Sequence, residues 1–312
     1  MEKKTKKALI LGVSLGLPIS VLGVFGLYGS VSPKVPESKA GDWLGQMSDL
    51  TRIKDISMPG SHDTMALYSI GDLAGRCQSL SLASQLDAGV RFLDIRLQNQ
   101  KDTLKAVHGI VDEKEKFPAI VNTIDTFLTE HPTEFLIVSI KEEEKPKGGT
   151  KDFETLVVDS LTEKWYTGNV MPATLGQVRG KAILLSRYAD SKFGIPAYEG
   201  WQDSASFSLP NLIHVQDEYK VNDIQVKKDA IKKCLDWTNS IVSILSPIDL
   251  NFFSAYRTSY FPPSYAPSVA KEINMELEEI LKSYQKTGIA ILDFVTEGNT
   301  KLVISHNKGV EL

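Results

Sequence analysis

The chain has 312 residues, a net charge of −4 at pH 7 and a pI near 5.8, with only two cysteines and five histidines. This mild charge, without a Lys/Arg-rich tract beyond the N-terminus, gives no support to a nucleic-acid partner, so any charged ligand must be met by local groups. The length that remains after an apolar N-terminal stretch suits one well-buried domain, which we favour over two smaller ones.

The first 33 residues predict a signal peptide or a signal anchor. Met1–Lys7 contains four lysines, and residues 8–33 carry no charge over a span long enough to cross a bilayer. Gly26–Pro33 offers only a poor small-x-small cleavage site, so cleavage and retention both stay open. In either case the lysines before the span predict an extracytoplasmic domain, secreted or held at the outer face of the cell membrane.

A polar linker over 34–41, rich in Pro, Ser and Lys, precedes a folded domain predicted over 42–312. Eight short runs rich in Val, Ile, Leu and Phe predict buried strands. These runs are Ile53–Met58, Val90–Leu97, Leu104–Val107, Phe135–Ile140, Ala182–Leu185, Leu212–Val215, Ile241–Leu250 and Ile289–Phe294. Helical spacing lies between several of them, in Ala119–Glu130, Phe153–Tyr166, Val226–Asn239 and Ser268–Gln285.

Alternation of strands and helices predicts an α/β class with parallel strands. Eight strand candidates favour an irregular, TIM-like (β/α)8 barrel over a six-stranded open sheet. The connection between the second and third runs is too short for a helix, so we expect a hairpin-like departure there. In such barrels the C-terminal strand ends and the loops after them form the active site.

Seven of the eight runs lead into an ionisable group. These groups are His62 with Asp63, Asp94 with Arg96, His108, Lys141, Arg187, Asp217 with Tyr219, and Asp293. A single case means little, because strands usually stop where polarity returns. Seven groups that converge on one rim of a barrel predict a functional site.

Two of the histidines lie beside glycines, which helps to aim an imidazole into a cavity. They are His62, in Pro-Gly-Ser-His-Asp-Thr, and His108, in Val-His-Gly. Such a pair suits cleavage of a phosphodiester by an internal hydroxyl, since near neutral pH one imidazole can take a proton while the other gives one. From spacing alone, histidines that merely stabilise the fold stay equally open. The other three lack this setting and are predicted to be structural or surface residues: His131, His214 and His306.

Asp94 and Arg96 are separated by one residue, so on a strand both point to the same face. A guanidinium held by carboxylates can offer a fork of donors to phosphate oxygens, or it can form a purely structural ion pair. Cys77 and Cys234 allow one disulfide or none, and we favour two buried thiols. Neither belongs to a CxxC or Cys/His cluster, which does not favour a structural zinc site.

These motifs resemble the X-domain core of phosphatidylinositol-specific phospholipases C, and specifically the small bacterial enzymes. The resemblance runs from Asp42 to Val303 as an ordered set of strings. They are Pro59-Gly60-Ser61-His62-Asp63-Thr64, Asp94-Ile95-Arg96, Val107-His108-Gly109, Val138-Ser139-Ile140-Lys141, Leu184-Leu185-Ser186-Arg187-Tyr188, Val215 to Val221, and Ile291-Leu292-Asp293-Phe294.

The resemblance implies a role for each matching residue. His62 is the general base that activates the inositol 2-hydroxyl, oriented by Asp293, and His108 is the acid that protonates the departing diacylglycerol, with Asp63 as its partner. Arg96 lies against the phosphate oxygens. Lys141, Arg187 and Asp217 contact the hydroxyl groups of the inositol ring, and the ring rests on the aromatic face of Tyr219.

The resemblance also bears on cofactors and partners. Metal-dependent relatives hold Ca²⁺ where this chain has Arg96, and Ca²⁺ takes about six oxygen ligands that the mixed strand ends do not offer. We therefore predict no metal and no other cofactor. The expected partner is phosphatidylinositol in membranes, and the protein is expected to act on it as a monomer. Unphosphorylated phosphatidylinositol is the expected preferred substrate.

Asn251–Phe253 and Tyr256–Tyr265 predict an aromatic lip that inserts into the membrane interface, although the same aromatics would also suit a cap over the barrel core. The second loop is Pro-rich where the family pattern is Gly/Ser-rich, which leaves free lipid and glycan-linked anchors both open.

Two rivals are a metal-dependent barrel of the glycerophosphodiesterase kind and a non-catalytic module that binds inositol lipids. The basic set of Arg96, Lys141 and Arg187 argues against the first. The joint presence of both histidines and their carboxylates argues against the second.

Overall fold

The computed structural model describes residues 39–69, 75–168, 170, 173–189, 194–209, 213–240, 248–258 and 266–312. The predicted signal segment, 1–33, and residues 34–38 of the predicted linker lie outside the described residues. Lys39–Gln46 forms a 3-10 helix that buries Trp43 and Leu44. The described residues from there on belong to one compact unit. None of their helices is long and apolar enough to span a membrane.

Short strands and helices alternate along the described chain. The strands are β1 (Met58–Ser61), β2 (Phe92–Asn99), β3 (Leu104–His108), β4 (Val111–Lys116), β5 (Leu136–Glu142), β6 (Ala182–Ser186), β7 (Ile195–Pro196), β8 (Ser206–Leu209), β9 (Ile213–Gln216), β10 (Lys220–Val221), β11 (Ile248–Phe252), β12 (Tyr256–Arg257) and β13 (Ile289–Leu292). The helices are α1 (Leu82–Asp87), α2 (Phe117–Glu130), α3 (Phe153–Val158), α4 (Leu175–Val178), α5 (Ile224–Thr238), α6 (Ala266–Met275), α7 (Leu277–Leu281) and α8 (Glu297–Ile304).

One curled sheet follows the order β7-β6-β5-β2-β1-β13-β11-β9-β8, with β3 and β4 attached beside β2. Every pairing from β7 to β9 is parallel, and β8 pairs antiparallel with β9 at the edge. Among the described strands, the two ends of this order do not pair with each other. The predicted α/β fold with an irregular TIM-like barrel is confirmed, in the form of a curled half-barrel.

Alternation along the parallel strands divides the core into two layers. Outward-facing residues such as Leu93 and Leu184 pack against the helices in one cluster. Inward-facing residues such as Phe92 and Ile183 meet Trp43 in a second cluster, which fills the inside of the curl. The interior below the strand ends is therefore packed with side chains, as in a closed barrel.

Gly60 lies tightly between the two strands that flank β1. A Cβ atom there would lie 3.0 Å from Phe92 Cβ and 3.1 Å from Ile291 Cγ1. A larger residue would push β1 away from β2 and β13, which flank it. This glycine therefore sets the position of His62, two residues further along.

One predicted strand needs correction, and one predicted irregularity is present. Ile53–Asp55 forms a 3-10 turn, and β1 begins only at Met58. β3 pairs antiparallel with β2 and β4 outside the parallel series, which confirms the expected hairpin-like departure. The connection is a tight turn in which Gln100 N donates to Thr103 O at 2.8 Å, and it is too short for a parallel crossover.

Two predicted helices are shorter than expected. The helix predicted over Phe153–Tyr166 stops at Val158, because the chain beyond it pairs with the edge of β6, where Tyr166 N donates to Ala182 O at 2.8 Å. The helix predicted over Ser268–Gln285 divides into α6 and α7 at Glu276. Residues 241–247, part of one predicted strand, lie outside the described residues.

Candidate active site

Polar side chains follow the parallel strands at one mouth of the half-barrel, each four positions after an inward-facing apolar residue. The pairs are Met58 and His62, Phe92 and Arg96, Ile137 and Lys141, Ile183 and Arg187, Ile213 and Asp217, and Ile289 and Asp293. Residues four apart on a strand share a face. The first member of each pair fills the barrel, and the second lines a cavity above it.

This cavity has a volume of about 410 Å³. It brings together eight of the nine predicted site residues: His62, Arg96, His108, Lys141, Arg187, Asp217, Tyr219 and Asp293. The ninth, Asp63, is fully buried behind the cavity wall, close to His108 and Arg96. The convergence that the sequence predicted at the strand ends is therefore present.

His62 is held from both sides. Its Nδ1–H donates to Asp293 Oδ1 at 2.7 Å, and Arg96 Nη2 donates to its Nε2 at 2.8 Å. Because a guanidinium can only donate, Nε2 must carry a lone pair and Nδ1 the proton. The geometry thus gives a neutral imidazole whose basic nitrogen lies in the cavity.

The surroundings of His62 also affect its charge. Burial and the charge of Arg96 disfavour the imidazolium. The charge of Asp293, its hydrogen bond and the charge of Asp94 outweigh them, so the pKa of His62 is raised above its ordinary value. A proton gained by this imidazole is therefore stabilised in place.

Arg96 is fixed by carboxylates. Its Nε and Nη2 donate to Asp94 Oδ2 at 3.1 and 3.0 Å, and its Nη1 lies 3.6 Å from Glu143 Oε1. Burial would raise the pKa of Asp94, but the charges of Arg96 and Arg187 hold it well below its usual range. A guanidinium held in this way can bind phosphate oxygens without losing its own orientation.

His108 is less firmly held than His62. It ends β3, and its Nδ1–H donates to the carbonyl of Gly75 at 2.6 Å, while the same nitrogen lies 3.8 Å from Asp63 Oδ2. Among the described residues, neither carboxylate oxygen of Asp63 has a hydrogen-bond partner. The pair is therefore close, but it is not hydrogen-bonded in this conformation.

Arg187 and Asp217 both contact the indole ring of Trp201. The Arg187 guanidinium lies 3.7 Å from the centroid of Trp201, and Trp201 Nε1 donates to Asp217 Oδ2 at 3.3 Å. Arg187 Nη2 is 4.0 Å from the same oxygen. These contacts form a polar wall with one flat face.

Lys141 and Tyr219 also have acidic partners. Lys141 Nζ donates to Glu143 Oε2 at 2.6 Å, and Tyr219 Oη donates to Asp203 Oδ1 at 2.5 Å. Burial and the charge of Asp203 raise the pKa of Tyr219 to about 12. Tyr219 therefore stays a neutral ring across the physiological pH range.

The residues that line this cavity and that the sequence did not predict include Cys77, Glu143, Trp201 and Asp203. Glu143 lies two positions after Lys141, where the chain still follows the strand direction and Glu143 N donates to Leu97 O at 2.8 Å, so period-two alternation would have found it. Trp201 and Asp203 lie in the loop between β7 and β8, which carries no strand-end signal.

The remaining histidines are structural or surface residues, as predicted. His131 stacks on Phe127 and pairs with an exposed carboxylate, His214 stacks on Trp237, and His306 bonds only to backbone carbonyls. The two cysteines are buried free thiols, which was the favoured alternative.

The predicted aromatic lip is partly wrong. Phe252 and Phe253 are buried, at 0% and 1% exposure, and pack in the inner and outer core clusters. They cannot insert into a membrane while the fold is intact. Tyr256 lines the cavity, and residues 259–265 lie outside the described residues.

Within the described residues, two groups of side chains have ligand atoms close enough for one metal ion. They are His62 with Cys77 and Asp293, and Asp63 with Cys77 and His108. Each contains a single carboxylate, which does not fit Ca²⁺, an ion that takes about six oxygen ligands. The prediction of a reaction without metal stays a prediction.

A family model described as phosphatidylinositol-specific phospholipase C, X domain, matches residues 56–188, which include the strands that carry His62, Arg96, His108 and Lys141. This part of the chain is therefore similar to the X domain. Two relatives are similar to this chain along most of their length. The 1-phosphatidylinositol phosphodiesterase of Listeria monocytogenes is 26% identical over 279 residues, covering 85% of this chain and 84% of the relative. That of Staphylococcus aureus is 28% identical over 308 residues, covering 90% and 92%.

Solved structures of X-domain proteins share the fold. A variant of the phosphatidylinositol-specific phospholipase C from S. aureus superposes with a TM-score of 0.79 at 25% identity, covering 87% of this chain and 99% of that one. The corresponding protein from L. monocytogenes gives a TM-score of 0.71 at 25% identity, covering 86% and 99%.

Proposed function

We propose that this chain is a member of the X-domain family and cleaves phosphatidylinositol into diacylglycerol and inositol 1,2-cyclic phosphate without a metal. One observation carries the proposal: a basic imidazole nitrogen and a fixed guanidinium lie 2.8 Å apart, at His62 Nε2 and Arg96 Nη2. Attack by a hydroxyl on a neighbouring phosphate needs a base and a cation at one place. The names of the bacterial relatives support the same substrate.

In the first half of the reaction, His62 Nε2 takes the proton of the inositol 2-hydroxyl, and the freed oxygen attacks the adjacent phosphorus. The resulting imidazolium is stabilised by Asp293, whose carboxylate already accepts from Nδ1. In the free protein Arg96 Nη2 donates a hydrogen bond to His62 Nε2. When substrate is bound, the same N–H group donates to a phosphate oxygen, where negative charge increases in the transition state. Asp94 keeps the guanidinium in position during this exchange.

In the second half, the bond between phosphorus and the diacylglycerol oxygen breaks. His108 gives its proton to the departing oxygen, so that diacylglycerol leaves as a neutral alcohol and the cyclic phosphate keeps one negative charge. Asp63 lies 3.8 Å from His108 Nδ1, near enough to stabilise the protonated imidazole once that ring turns from Gly75. Catalytic hydrogen bonds of this kind often tighten only when substrate is bound.

The remaining residues suit an uncharged inositol ring. Lys141, Arg187 and Asp217 offer donors and acceptors to ring hydroxyls, and Tyr219 offers a flat face. Each cation here is already matched by a carboxylate, so additional phosphates on the ring would meet acidic groups without free cations. Unphosphorylated phosphatidylinositol is therefore the preferred substrate, and glycan-linked forms are a further candidate.

The cellular setting belongs to the same proposal. Residues 1–33 act as a signal peptide or anchor, 34–41 as a linker and 42–312 as the catalytic barrel, which works as a monomer on phosphatidylinositol at the outer side of the cell membrane. The basic residues before the apolar span support this orientation.

The test uses the full chain on phosphatidylinositol vesicles in EDTA, with phosphorus NMR to detect the five-membered cyclic phosphate. His62→Ala and His108→Ala are compared with His131→Ala, a histidine that lies away from the cavity. We expect cyclic product in EDTA from the parent and the control only. Product that forms only after Ca²⁺ is added would overturn the metal-free assignment and favour a metal-dependent barrel.

Two further outcomes distinguish the rivals. Absence of product under every ion condition, with retained binding to the vesicles, would favour the non-catalytic module. Equal turnover of the bisphosphorylated lipid would contradict the stated preference for the unphosphorylated ring.

A further inference from the structure

A buried thiol lies between the two halves of the proposed catalytic apparatus. Cys77 lines the cavity and is 1% exposed, and its backbone is anchored where Cys77 N donates to Ala66 O at 2.9 Å and Phe294 N donates to Cys77 O at 2.7 Å. Its sulfur, a carboxylate oxygen of Asp63 and a ring nitrogen of His108 all lie within 4.8 Å of one another. The proposed reaction gives Cys77 no role.

Asp63 supplies a second, independent observation. It is 0% exposed, and in the part of the chain that the structure describes neither of its carboxylate oxygens has a hydrogen-bond partner. Its nearest cationic nitrogens are Arg96 Nε at 3.7 Å and His108 Nδ1 at 3.8 Å. A buried carboxylate without hydrogen bonds is destabilising, so it calls for an explanation. The carboxylate of Asp63 lies close to the thiol and the imidazole, and a cation bound between the three groups would satisfy it.

We propose that Asp63, Cys77 and His108 form an inhibitory site for a thiophilic divalent cation of the Zn²⁺ class. One sulfur, one nitrogen and one oxygen are the donor types that Zn²⁺ takes in proteins, and three protein ligands leave a fourth position for water. As the bond between sulfur and zinc forms, the thiol proton passes to solvent and no electrons are transferred. The ion would hold His108 and Asp63 together and remove the general acid.

The alternative triad of His62, Cys77 and Asp293 is less suitable. Both ring nitrogens of His62 are already engaged, with Asp293 at 2.7 Å and with Arg96 at 2.8 Å. A metal there would have to break one of these bonds beside a guanidinium. His108 needs to give up only its bond to a backbone carbonyl.

The charge around Arg96 allows a cation nearby. Carboxylate oxygens of Asp94, Glu143 and Asp63 lie 3.0, 3.6 and 3.7 Å from its nitrogens. One guanidinium is therefore surrounded by three acidic groups, and it does not impose a net positive field on the thiol. An additional divalent ion next to Asp63 is electrostatically acceptable.

The experiment measures metal binding by the full chain directly and does not require turnover. Co²⁺ is titrated into the chelator-free protein, and the sulfur-to-cobalt charge-transfer absorption in the near ultraviolet is followed. Zn²⁺ is then added to compete, and inhibition by Zn²⁺ and its reversal by EDTA are measured on vesicles. The variants are Cys77→Ala and Cys77→Ser, with Cys234→Ala as the matched control, since Cys234 is the other buried thiol, at 2% exposure, and lies on α5.

We expect the absorption band in the parent and in Cys234→Ala, and its loss in both Cys77 variants. Zinc affinity should fall by about a hundredfold when the thiolate is removed, since even partners in the outer shell of a metal site contribute 10- to 100-fold. Asp63→Asn should keep the band but bind Co²⁺ more weakly. A missing band in the parent, or a band retained in Cys77→Ala, would overturn the site.

The expected inhibition of lipid cleavage by Zn²⁺ rests on the proposed function, whereas the sulfur-to-cobalt absorption band does not. If zinc binds and the protein does not cleave phosphatidylinositol, the proposed function fails and the metal site stands. If the protein is active in EDTA and zinc inhibits the parent, Cys234→Ala and Cys77→Ala equally, the metal site fails and the function stands.

Discussion

The two histidines of the cavity are held in very different ways. His62 follows a parallel strand at the centre of the sheet, and each of its ring nitrogens has a charged partner within 2.8 Å. His108 ends β3 in an antiparallel hairpin outside the parallel series. Its Nδ1 is bonded to a backbone carbonyl, and the carboxylate expected to assist it lies 3.8 Å away.

This difference indicates that the proposed base is preorganised, while the proposed acid is completed by substrate. A base must already be in the correct tautomer when the lipid arrives, and the Asp293 and Arg96 contacts impose that tautomer. An acid is needed only when the leaving oxygen separates, so its contact with Asp63 can form later. Substitutions on the two sides should therefore have different effects.

The largest expected effect is that of Asp293→Asn. The amide cannot stabilise the imidazolium, so kcat/KM should fall by about 10³-fold, within the range that general base catalysis contributes. The measurement is the initial rate on phosphatidylinositol in EDTA. Asp249→Asn is the matched control, because Asp249 is a buried carboxylate on β11 that does not line the cavity. Equal losses in both variants would show that Asp293 acts through the fold alone.

Arg96→Lys should produce the next largest loss. Lysine keeps the charge but cannot reach Asp94 and the phosphate with a rigid fork, so we expect kcat/KM to fall by about 10²-fold. Lys105→Arg, the reverse exchange on β3 outside the cavity, is the control. A lysine variant with unchanged activity would mean that only the charge is needed and that the geometry around Asp94 has no catalytic importance.

The sequence predicted most of the parallel framework, because buried strands in such a fold are short apolar runs that end where polarity returns. It failed where pairing partners decide the structure. Ile53 lies in an apolar run but forms a 3-10 turn, and Tyr166 follows a helical pattern but pairs with the edge of β6. Neither outcome is encoded in the local periodicity.

The site was predicted for the same reason that the strands were. In Ile137 and Lys141, or Ile289 and Asp293, a period of two joins a core residue to a cavity residue, so each recognised strand also located a residue that lines the cavity. Trp201 comes from a loop and could not be found in this way. The 3.8 Å separation of His108 Nδ1 and Asp63 Oδ2 depends on the geometry of the hairpin that carries His108. A short sequence motif does not predict that geometry.

A smaller effect should distinguish the acid side of the cavity, His108 with Asp63, from the base side, His62 with Asp293. On an inositol phosphate ester with a nitrophenyl leaving group, which departs without a proton, Asp63→Asn should lose almost no activity. On phosphatidylinositol the same variant should lose about tenfold or more. Asp293→Asn should be impaired with both substrates, because activation of the 2-hydroxyl is common to both. The two substrates are compared as ratios of kcat/KM for each variant. A similar ratio in both variants would contradict the division of the cavity into a base side and an acid side.

The smallest effect is a shift in the pH profile. Protonated His62 cannot accept the 2-hydroxyl proton, so activity falls as the pH drops through its pKa. Burial and the charge of Arg96 lower that pKa, but Asp293, together with the charge of Asp94, raises it above the ordinary value for histidine. In Asp293→Asn the charge and the carboxylate hydrogen bond that raise the pKa most are lost, while burial and Arg96 still lower it, so the acid limb should move to lower pH.

The profile of kcat/KM is measured from about pH 5 to 8, the range in which imidazoles titrate, on soluble short-chain substrate with Asp249→Asn as the control. A limb that moves in Asp293→Asn but not in the control assigns it to the rigid, preorganised base. A limb that stays in place in Asp293→Asn and moves in Asp63→Asn would assign it to the loosely held side. The comparison between the two histidines would then be reversed, with His108 and not His62 setting the lower pH limit of the reaction.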